Sequence, residues 1–210
     1  MNVRIRLMLT AGVVAVLAAV TAGCSGSGAT SVAAGVVSGA SASAITDAVG
    51  DTVSNGTTTK VAVPQADLVA ASATYRAGQI TLTARVRQPS DPVATGWGDS
   101  TFLTWQLDTN GDGKPDDDIQ YYLDSGELVG DVTRTGTPDS AAPLCHVSSA
   151  NYAAATGYTV VVDPKCVGNP NAFSYRVTTY YDTKPGDDKA PVATDVVPDT
   201  GFSAPIKKPI

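Results

Sequence analysis

Apolar and polar residues alternate along several short segments of this chain. In residues 79–87, Ile80, Leu82, Ala84 and Val86 fall on one side, and threonines and arginines fall on the other. Period-two alternation of this kind predicts a β-strand with one buried and one solvated face. Comparable segments lie at residues 67–75, 101–107, 119–123, 127–134, 158–162 and 172–181.

The remaining pattern decides the fold class. No segment after residue 23 carries the 3.6-residue apolar repeat of a long amphipathic helix. Glycine and proline separate the strands, and a single sheet could not bury all of their apolar faces. We therefore predict an all-β antiparallel β-sandwich, with residues 67–75 and 79–87 forming a hairpin. Residues 151–156 are predicted to form a helical turn, and the tail from Asp182 to lie irregularly over the surface.

The beginning of the chain has the pattern of an export signal. Arg4 and Arg6 precede an apolar run over residues 7–22, and no acidic residue occurs there. The run is shorter than a membrane-spanning helix normally needs. We predict a signal peptide over residues 1–23, so that the rest of the protein is exported.

Cys24 lies in a motif that resembles the lipobox of bacterial lipoproteins. Small residues precede it and a Ser/Gly-rich segment follows, although Thr21 stands where that family usually has Leu. The resemblance implies that Cys24 is diacylated and anchors the mature protein by lipid to the outer face of the cell membrane. The alternative is ordinary secretion after cleavage near Ala22, with Cys24 left as a free thiol.

The mature chain divides into a tether and a domain, and it is acidic. Residues 24–44 are almost entirely Ser, Gly, Ala, Val and Thr, which is typical of a flexible tether. The β-sandwich domain is predicted over residues 45–210. Removal of residues 1–23 leaves 12 basic and 20 acidic residues, a net charge of −8. Such a surface is a poor partner for nucleic acid.

The three cysteines support both lipidation and a disulfide. An odd thiol in an exported protein needs an explanation, which a lipid on Cys24 provides. Cys145 and Cys166 then remain as a pair that should form a disulfide in an oxidising compartment. A metal site on these cysteines is disfavoured because His146 is the sole histidine and no CxxC spacing occurs.

An acidic loop between two predicted strands, residues 108–118, is a candidate calcium site. Its spacing places oxygen ligands at alternate positions around a bend that Gly113 permits. Position 12 is Ile119 where an EF-hand has Glu, so the loop is not an EF-hand. The alternative is a hydrated hairpin connection, because Asn-Gly and Asp-Gly are favoured turn pairs. The candidate ligands are Asp108, Asn110, Asp112, Lys114 through its carbonyl, Asp116 and Asp118.

The order of motifs resembles a known class of extracellular module. The segment Asp47-Ala-Val-Gly-Asp51 is followed by Asp67 opening a strand, and later by Asp-x-Asn-Gly-Asp-Gly-x-Pro-Asp. This order resembles bacterial β-sandwich modules of the DOMON-like and family 9 carbohydrate-binding type. The resemblance implies a jelly-roll-like sandwich that binds sugars, haem or calcium, or serves as a structural module. Asp47 and Asp51 are predicted to form a solvated turn, or to join an ion site that the fold completes.

These features predict only a general class of function. Haem binding is disfavoured because His146 is the one Met or His side chain left in the domain. Trp97, on a glycine-flanked loop, is the candidate sugar-binding platform. We predict a non-catalytic binding or structural module, stabilised by calcium if the acidic loop binds it, whose partner is a glycan or another envelope protein. The alternative is an extracellular hydrolase of cell-envelope or polysaccharide substrates, although no Gly-x-Ser-x-Gly motif is present.

Overall fold

A computed structural model describes residues 40–138, 141–187 and 190–210. These parts of the chain contain a short α-helix, α1 (Pro92–Thr95), and a 3₁₀ helix (Pro164–Val167). Neither they nor any other helix there has the length and apolar character needed to cross a bilayer. The strands are β1 (Ala40–Thr46), β2 (Val53–Ser54), β3 (Leu68–Arg76), β4 (Gln79–Val86), β5 (Phe102–Asp108), β6 (Asp117–Asp124), β7 (Glu127–Arg134), β8 (Cys145–His146), β9 (Ser149–Ala153), β10 (Gly157–Val162), β11 (Ala172–Asp182), β12 (Val192–Val197) and β13 (Ile206–Lys207).

The strands form two antiparallel sheets that pack face to face. The five-stranded sheet has the order β1-β3-β4-β10-β9. The eight-stranded sheet has the order β2-β12-β11-β5-β6-β7-β8, and β13 pairs with β11 beside it. The predicted hairpin is confirmed as β3–β4. The predicted all-β antiparallel sandwich is therefore the observed fold.

The core between the sheets is built from the alternate residues that the sequence pattern selects. In β4, Ile80, Leu82, Ala84 and Val86 are at most 1% exposed. Because side chains alternate between the two faces of a strand, the same period buries every second residue of the opposing sheet. That sheet supplies Leu103, Trp105, Leu107, Ile119, Tyr121, Phe173, Tyr175 and Val177.

Polar contacts also join the two sheets. The Tyr175 hydroxyl donates to the carbonyl of Ala71 at 3.1 Å, and the Thr179 hydroxyl donates to the carbonyl of Ala66 at 2.6 Å. The backbone N–H of Leu68 donates to Asp195 Oδ2 at 2.7 Å. Buried polar groups are costly without partners, so these bonds favour one relative position of the sheets.

The predicted disulfide is confirmed. Cys145 and Cys166 are joined, with their Cα atoms 5.7 Å apart. Cys145 lies in β8 of the eight-stranded sheet, while Cys166 lies in the 3₁₀ helix that follows β10 of the five-stranded sheet. Both side chains pack against the core. The bond is therefore a covalent link between the two layers of the sandwich.

The domain begins earlier than predicted. Residues 40–44, expected to be tether, belong to β1, which pairs with β3 along Ala40–Thr46. The composition of this segment is that of a flexible linker, but backbone hydrogen bonds to a strand edge do not depend on side-chain size. The start at residue 45 is thus a misplaced boundary. The predicted signal peptide and the tether up to residue 39 lie outside the described residues.

Two further predictions of local structure were wrong. Residues 151–156 form no helical turn: β9 covers Ser149–Ala153, and Tyr152 packs on Tyr158 of β10 at 5.4 Å between ring centroids. The tail is also not irregular, because β12 pairs with β11 and buries Val197. In both places pairing with a neighbouring strand outweighs local composition.

Candidate functional site

The acidic loop predicted to bind calcium is closed by hydrogen bonds to its own oxygens. Asp108 accepts from the backbone N–H groups of Gly111 and Gly113 at 2.6 and 2.9 Å. Asp116 accepts from the backbone and hydroxyl of Thr109, each at 2.8 Å, and from the Asn110 amide at 3.0 Å. Side-chain to backbone bonds of this kind stabilise a turn without an ion.

The other candidate ligands of the loop are also engaged in local contacts. The side chain of Asn110 accepts from the backbone N–H of Asp112 at 2.8 Å. The side chain of Asp112 accepts in turn from the backbone N–H of Lys114, also at 2.8 Å. Asp118 accepts from the Gln106 amide at 3.1 Å and from the Thr135 hydroxyl at 2.9 Å. The hairpin-connection alternative accounts for these bonds, and calcium binding at this loop stays a prediction.

Asp117, in the acidic loop and the first residue of β6, is held by an ion pair instead. It is fully buried, and its Oδ1 accepts from Arg134 Nη1 at 2.8 Å. Burial raises the pKa of Asp117 to about 6, against the lowering effect of Arg134. This pair ties β6 to β7, so it belongs to the scaffold of the hairpin.

A different set of carboxylates converges where the two sheets meet. Across the described parts of the chain, two groups of three acidic side chains each bring one oxygen per residue within 4.8 Å of the others. One group is Asp47, Asp51 and Asp199, and the second is Asp51, Asp67 and Asp195. We call these five residues the aspartate cluster. No residue of the acidic loop belongs to either group.

The aspartate cluster is partly buried and strongly perturbed. Asp67 is 2% exposed and Asp195 is 6% exposed. Burial raises the pKa of Asp47 and of Asp195 to about 7, and it also raises the pKa of Asp51. Perturbed acids of this kind are frequent at functional sites. The cluster is therefore the strongest candidate for ion chemistry in the described structure.

Sequence reasoning found only part of the aspartate cluster. Asp47 and Asp51 were noted as possible members of a site that the fold would complete. Asp67, Asp195 and Asp199 were missed as ligands because they come from distant segments. The available signal was the period-two pattern of β12, where Asp195 shares one side of the strand with Ala193 and Val197.

Trp97 does not stand on an open surface. Its ring packs against Tyr121 and Tyr158, with ring centroids 6.0 and 5.1 Å away, and its Nε1 donates to Ser90 Oγ at 3.4 Å. The side chain is half-buried against the core. Its predicted role as a sugar-binding platform stays a prediction, and the contacts give it a packing role at the edge of the sandwich.

A shallow groove on the outer face of the eight-stranded sheet carries other aromatic rings. Phe102 and Tyr180 face each other across β5 and β11, with ring planes 19° apart and centroids 4.5 Å apart. Tyr122 lies on the same groove, and its hydroxyl donates to Asp131 at 2.7 Å. The groove, which we call the aromatic groove, has a volume of about 410 Å³. It is lined by Gly98, Asp99, Phe102, Gln120, Tyr122, Leu123 and Asp124.

The aromatic groove could have been found from the strand pattern. Phe102 and Tyr122 occupy the solvated positions of strands whose alternate residues fill the core. An aromatic residue on the polar face of an alternating strand is not needed for the core. Neither residue was predicted as a site residue, because that prediction rested on the loop residue Trp97 alone.

His146 forms a pair with a carboxylate, but on an exposed strand. Its Nδ1 lies 2.6 Å from Asp131 Oδ1, and its side chain is 81% exposed. A general base in a hydrolase works in an enclosed site that positions a substrate. The open position of this pair offers no such enclosure, so the hydrolase alternative gains no support from it.

Comparison with models of known protein families, with curated proteins and with solved structures gives no match. The resemblance to DOMON-like and family 9 carbohydrate-binding modules therefore stays a prediction.

Proposed function

We propose that this chain is a lipid-anchored exported protein whose β-sandwich is a non-catalytic saccharide-binding module. The observation that carries the binding role is the aromatic groove, where half-exposed rings lie beside polar side chains on one open sheet face. The interlayer disulfide is in keeping with export to an oxidising compartment. The lipid anchor is supported by the motif around Cys24.

The chemistry of the groove suits a neutral saccharide. The C–H faces of a sugar ring pack on aromatic rings such as Phe102 and Tyr122, which supply apolar area in a rigid position. Gln120 supplies both an amide donor and an acceptor, while Asp99 and Asp124 supply acceptors for sugar hydroxyls. The acidic side chains disfavour an anionic sugar, so an uncharged polysaccharide is the proposed ligand class.

Replacement of Tyr122 by Ala is expected to weaken glycan binding about tenfold or more, since loss of a central aromatic contact costs roughly 1–2 kcal/mol. The measurement is a glycan array of neutral polysaccharides, followed by titration of the bound glycan. Tyr122→Phe is the matched control: it keeps the ring and loses only the hydroxyl bonded to Asp131. It should bind within about threefold of the unsubstituted protein.

The binding proposal is overturned by either of two outcomes. The first is that no glycan on the array is retained by the unsubstituted protein. The second is that a glycan is retained equally well after Tyr122→Ala while circular dichroism shows the variant folded. Tyr122 lies on the outer face, so its truncation leaves the inward-facing core in place.

Replacement of Cys24 by Ala is expected to move the protein from the membrane fraction to the soluble fraction. Two acyl chains give stable anchoring, whereas the remaining chain has no comparable apolar segment after the signal. The measurements are fractionation and labelling with radioactive palmitate. Thr21→Leu is the matched control, because it brings the motif closer to the family pattern and should keep both label and anchoring. Membrane retention of the Cys24→Ala protein would contradict the proposed anchor.

A further inference from the structure

The aspartate cluster joins three separate parts of the chain. Asp47 and Asp51 lie between β1 and β2, Asp67 lies directly before β3, Asp195 lies within β12, and Asp199 follows β12. Strand β3 belongs to the five-stranded sheet and β12 to the eight-stranded sheet. A ligand held by these residues would therefore contact both layers and the connection between β1 and β2 at once.

Two enclosed carboxylate oxygens in the cluster have no hydrogen-bond partner among the described residues. They are Asp47 Oδ2 and Asp51 Oδ1, whose exposed surface is close to zero. The hydroxyl of Thr52, a residue only 1% exposed, is also unpartnered, and Thr52 lines a cavity together with Asp67. A buried acceptor without a donor is costly, and each such oxygen has a free lone pair for a metal ion.

The positive side chains near the cluster do not balance its charge. Arg87 Nη1 lies 3.7 Å from Asp67 Oδ2, but its side chain is 57% exposed. Lys60 is exposed and acts on Asp51 from a distance. Arg176 lines a cavity with Asp51, Asp195 and Asp199, and its Nε is bonded to Gln106 at 2.7 Å. Among the described residues, the five carboxylates thus face one close cation, Arg87, and two cations, Lys60 and Arg176, that form no ion pair with the cluster.

We propose that the aspartate cluster binds a calcium ion, with Asp51 as the ligand shared by both groups of three. Calcium prefers six to eight oxygens at about 2.3–2.6 Å, so ligands on opposite sides lie about 4.6–5.2 Å apart. The oxygens of each group lie within 4.8 Å of one another, close enough to share one ion. Magnesium keeps several waters and is usually bound through one or two carboxylates, so a cluster of protein carboxylates suits calcium better.

The ion would link the two sheets of the sandwich and stabilise their packing. The connection between β1 and β2 is tied to the rest of the fold through this region, where the Gly50 N–H donates to both oxygens of Asp67 at 3.0 and 3.1 Å. Calcium at Asp51, Asp67 and Asp195 would neutralise their repulsion and add bonds across the two sheets. The stability of the module then depends on calcium outside the cell.

Titration of calcium into the chelator-treated mature protein tests this inference, with binding heat and melting temperature as readouts. We expect saturable binding and a higher melting temperature. Asp51→Asn should weaken calcium binding about 100-fold, and Asp199→Asn, at an exposed position, about tenfold. Asp112→Asn reports on the acidic loop. Glu127→Gln, an exposed acid outside the loop and the cluster, is the matched control and should bind calcium like the unsubstituted protein.

Several outcomes would contradict calcium binding at the aspartate cluster. They are the absence of heat at millimolar calcium, binding lost in Asp112→Asn but kept in Asp51→Asn, or equal binding in all variants. Asp51→Asn removes one of several repelling charges, so it should fold in chelator at least as stably as the unsubstituted protein. If it does not fold, Asp199→Asn alone decides the result. Glycan binding at the aromatic groove is measured separately, so the two proposals can fail independently.

Discussion

Replacement of Trp105 by Ala is expected to lower the free energy of unfolding by about 3–5 kcal/mol, the usual cost of truncating a large buried aromatic residue. Trp105 is 0% exposed and lies in β5, between β11 and β6 of the eight-stranded sheet. Its ring reaches the core shared by both layers. The loss would be a large fraction of the total stability of a domain of this size.

Trp105→Phe is the informative control for that experiment. The indole Nε1 is buried and has no hydrogen-bond acceptor among the described residues, which costs about 1–3 kcal/mol in the folded protein. Phenylalanine removes this N–H while it keeps most of the apolar volume. We expect its stability to lie within about 1 kcal/mol of the unsubstituted protein in urea denaturation. If the Ala and Phe variants lose equal amounts of unfolding free energy, the destabilisation by Ala does not come from the lost apolar volume.

Removal of the disulfide by the double replacement Cys145→Ala and Cys166→Ala is expected to cost about 3 kcal/mol. The bond closes a loop with a sequence separation of 21, and a crosslink of that length restricts the unfolded chain by about that amount. Because the bond joins β8 to the helix after β10, the separation of the two layers should become easier as well. Urea denaturation measures the effect.

A reductant provides the matched control for the disulfide. The unsubstituted protein in reductant should denature at the same urea concentration as the double variant, because both lack the crosslink. The double variant itself should not respond to the reductant. If the double variant is as stable as the oxidised unsubstituted protein, the bond does not contribute to stability and the chain-entropy account is wrong for this domain.

The parts of the fold that were predicted correctly are those encoded by the pattern of consecutive residues. Period-two alternation identified β4, β5 and β11, and in β4 it placed Ile80, Leu82, Ala84 and Val86 on one side, which the structure buries. It worked because burial of one strand face is a property of consecutive residues. It failed for β1, whose small residues carry no such contrast and whose strand depends on pairing with β3.

The candidate sites show the same division. The acidic loop was found from sequence because its residues are consecutive, but sequence could not tell that Asp108 and Asp116 accept bonds from the loop itself. The aspartate cluster was missed except for Asp47 and Asp51. Its other members are contiguous only in space.

The sequence by itself determined the fold class, the disulfide pair and the strands with strong alternation, because each rests on composition or on neighbouring residues. Only the tertiary structure decided which carboxylates lie together and which aromatic rings share one groove. Residues as distant as Asp51 and Asp195 meet because two sheets pack face to face around a common core. That arrangement depends on long-range strand pairing, which no local pattern encodes.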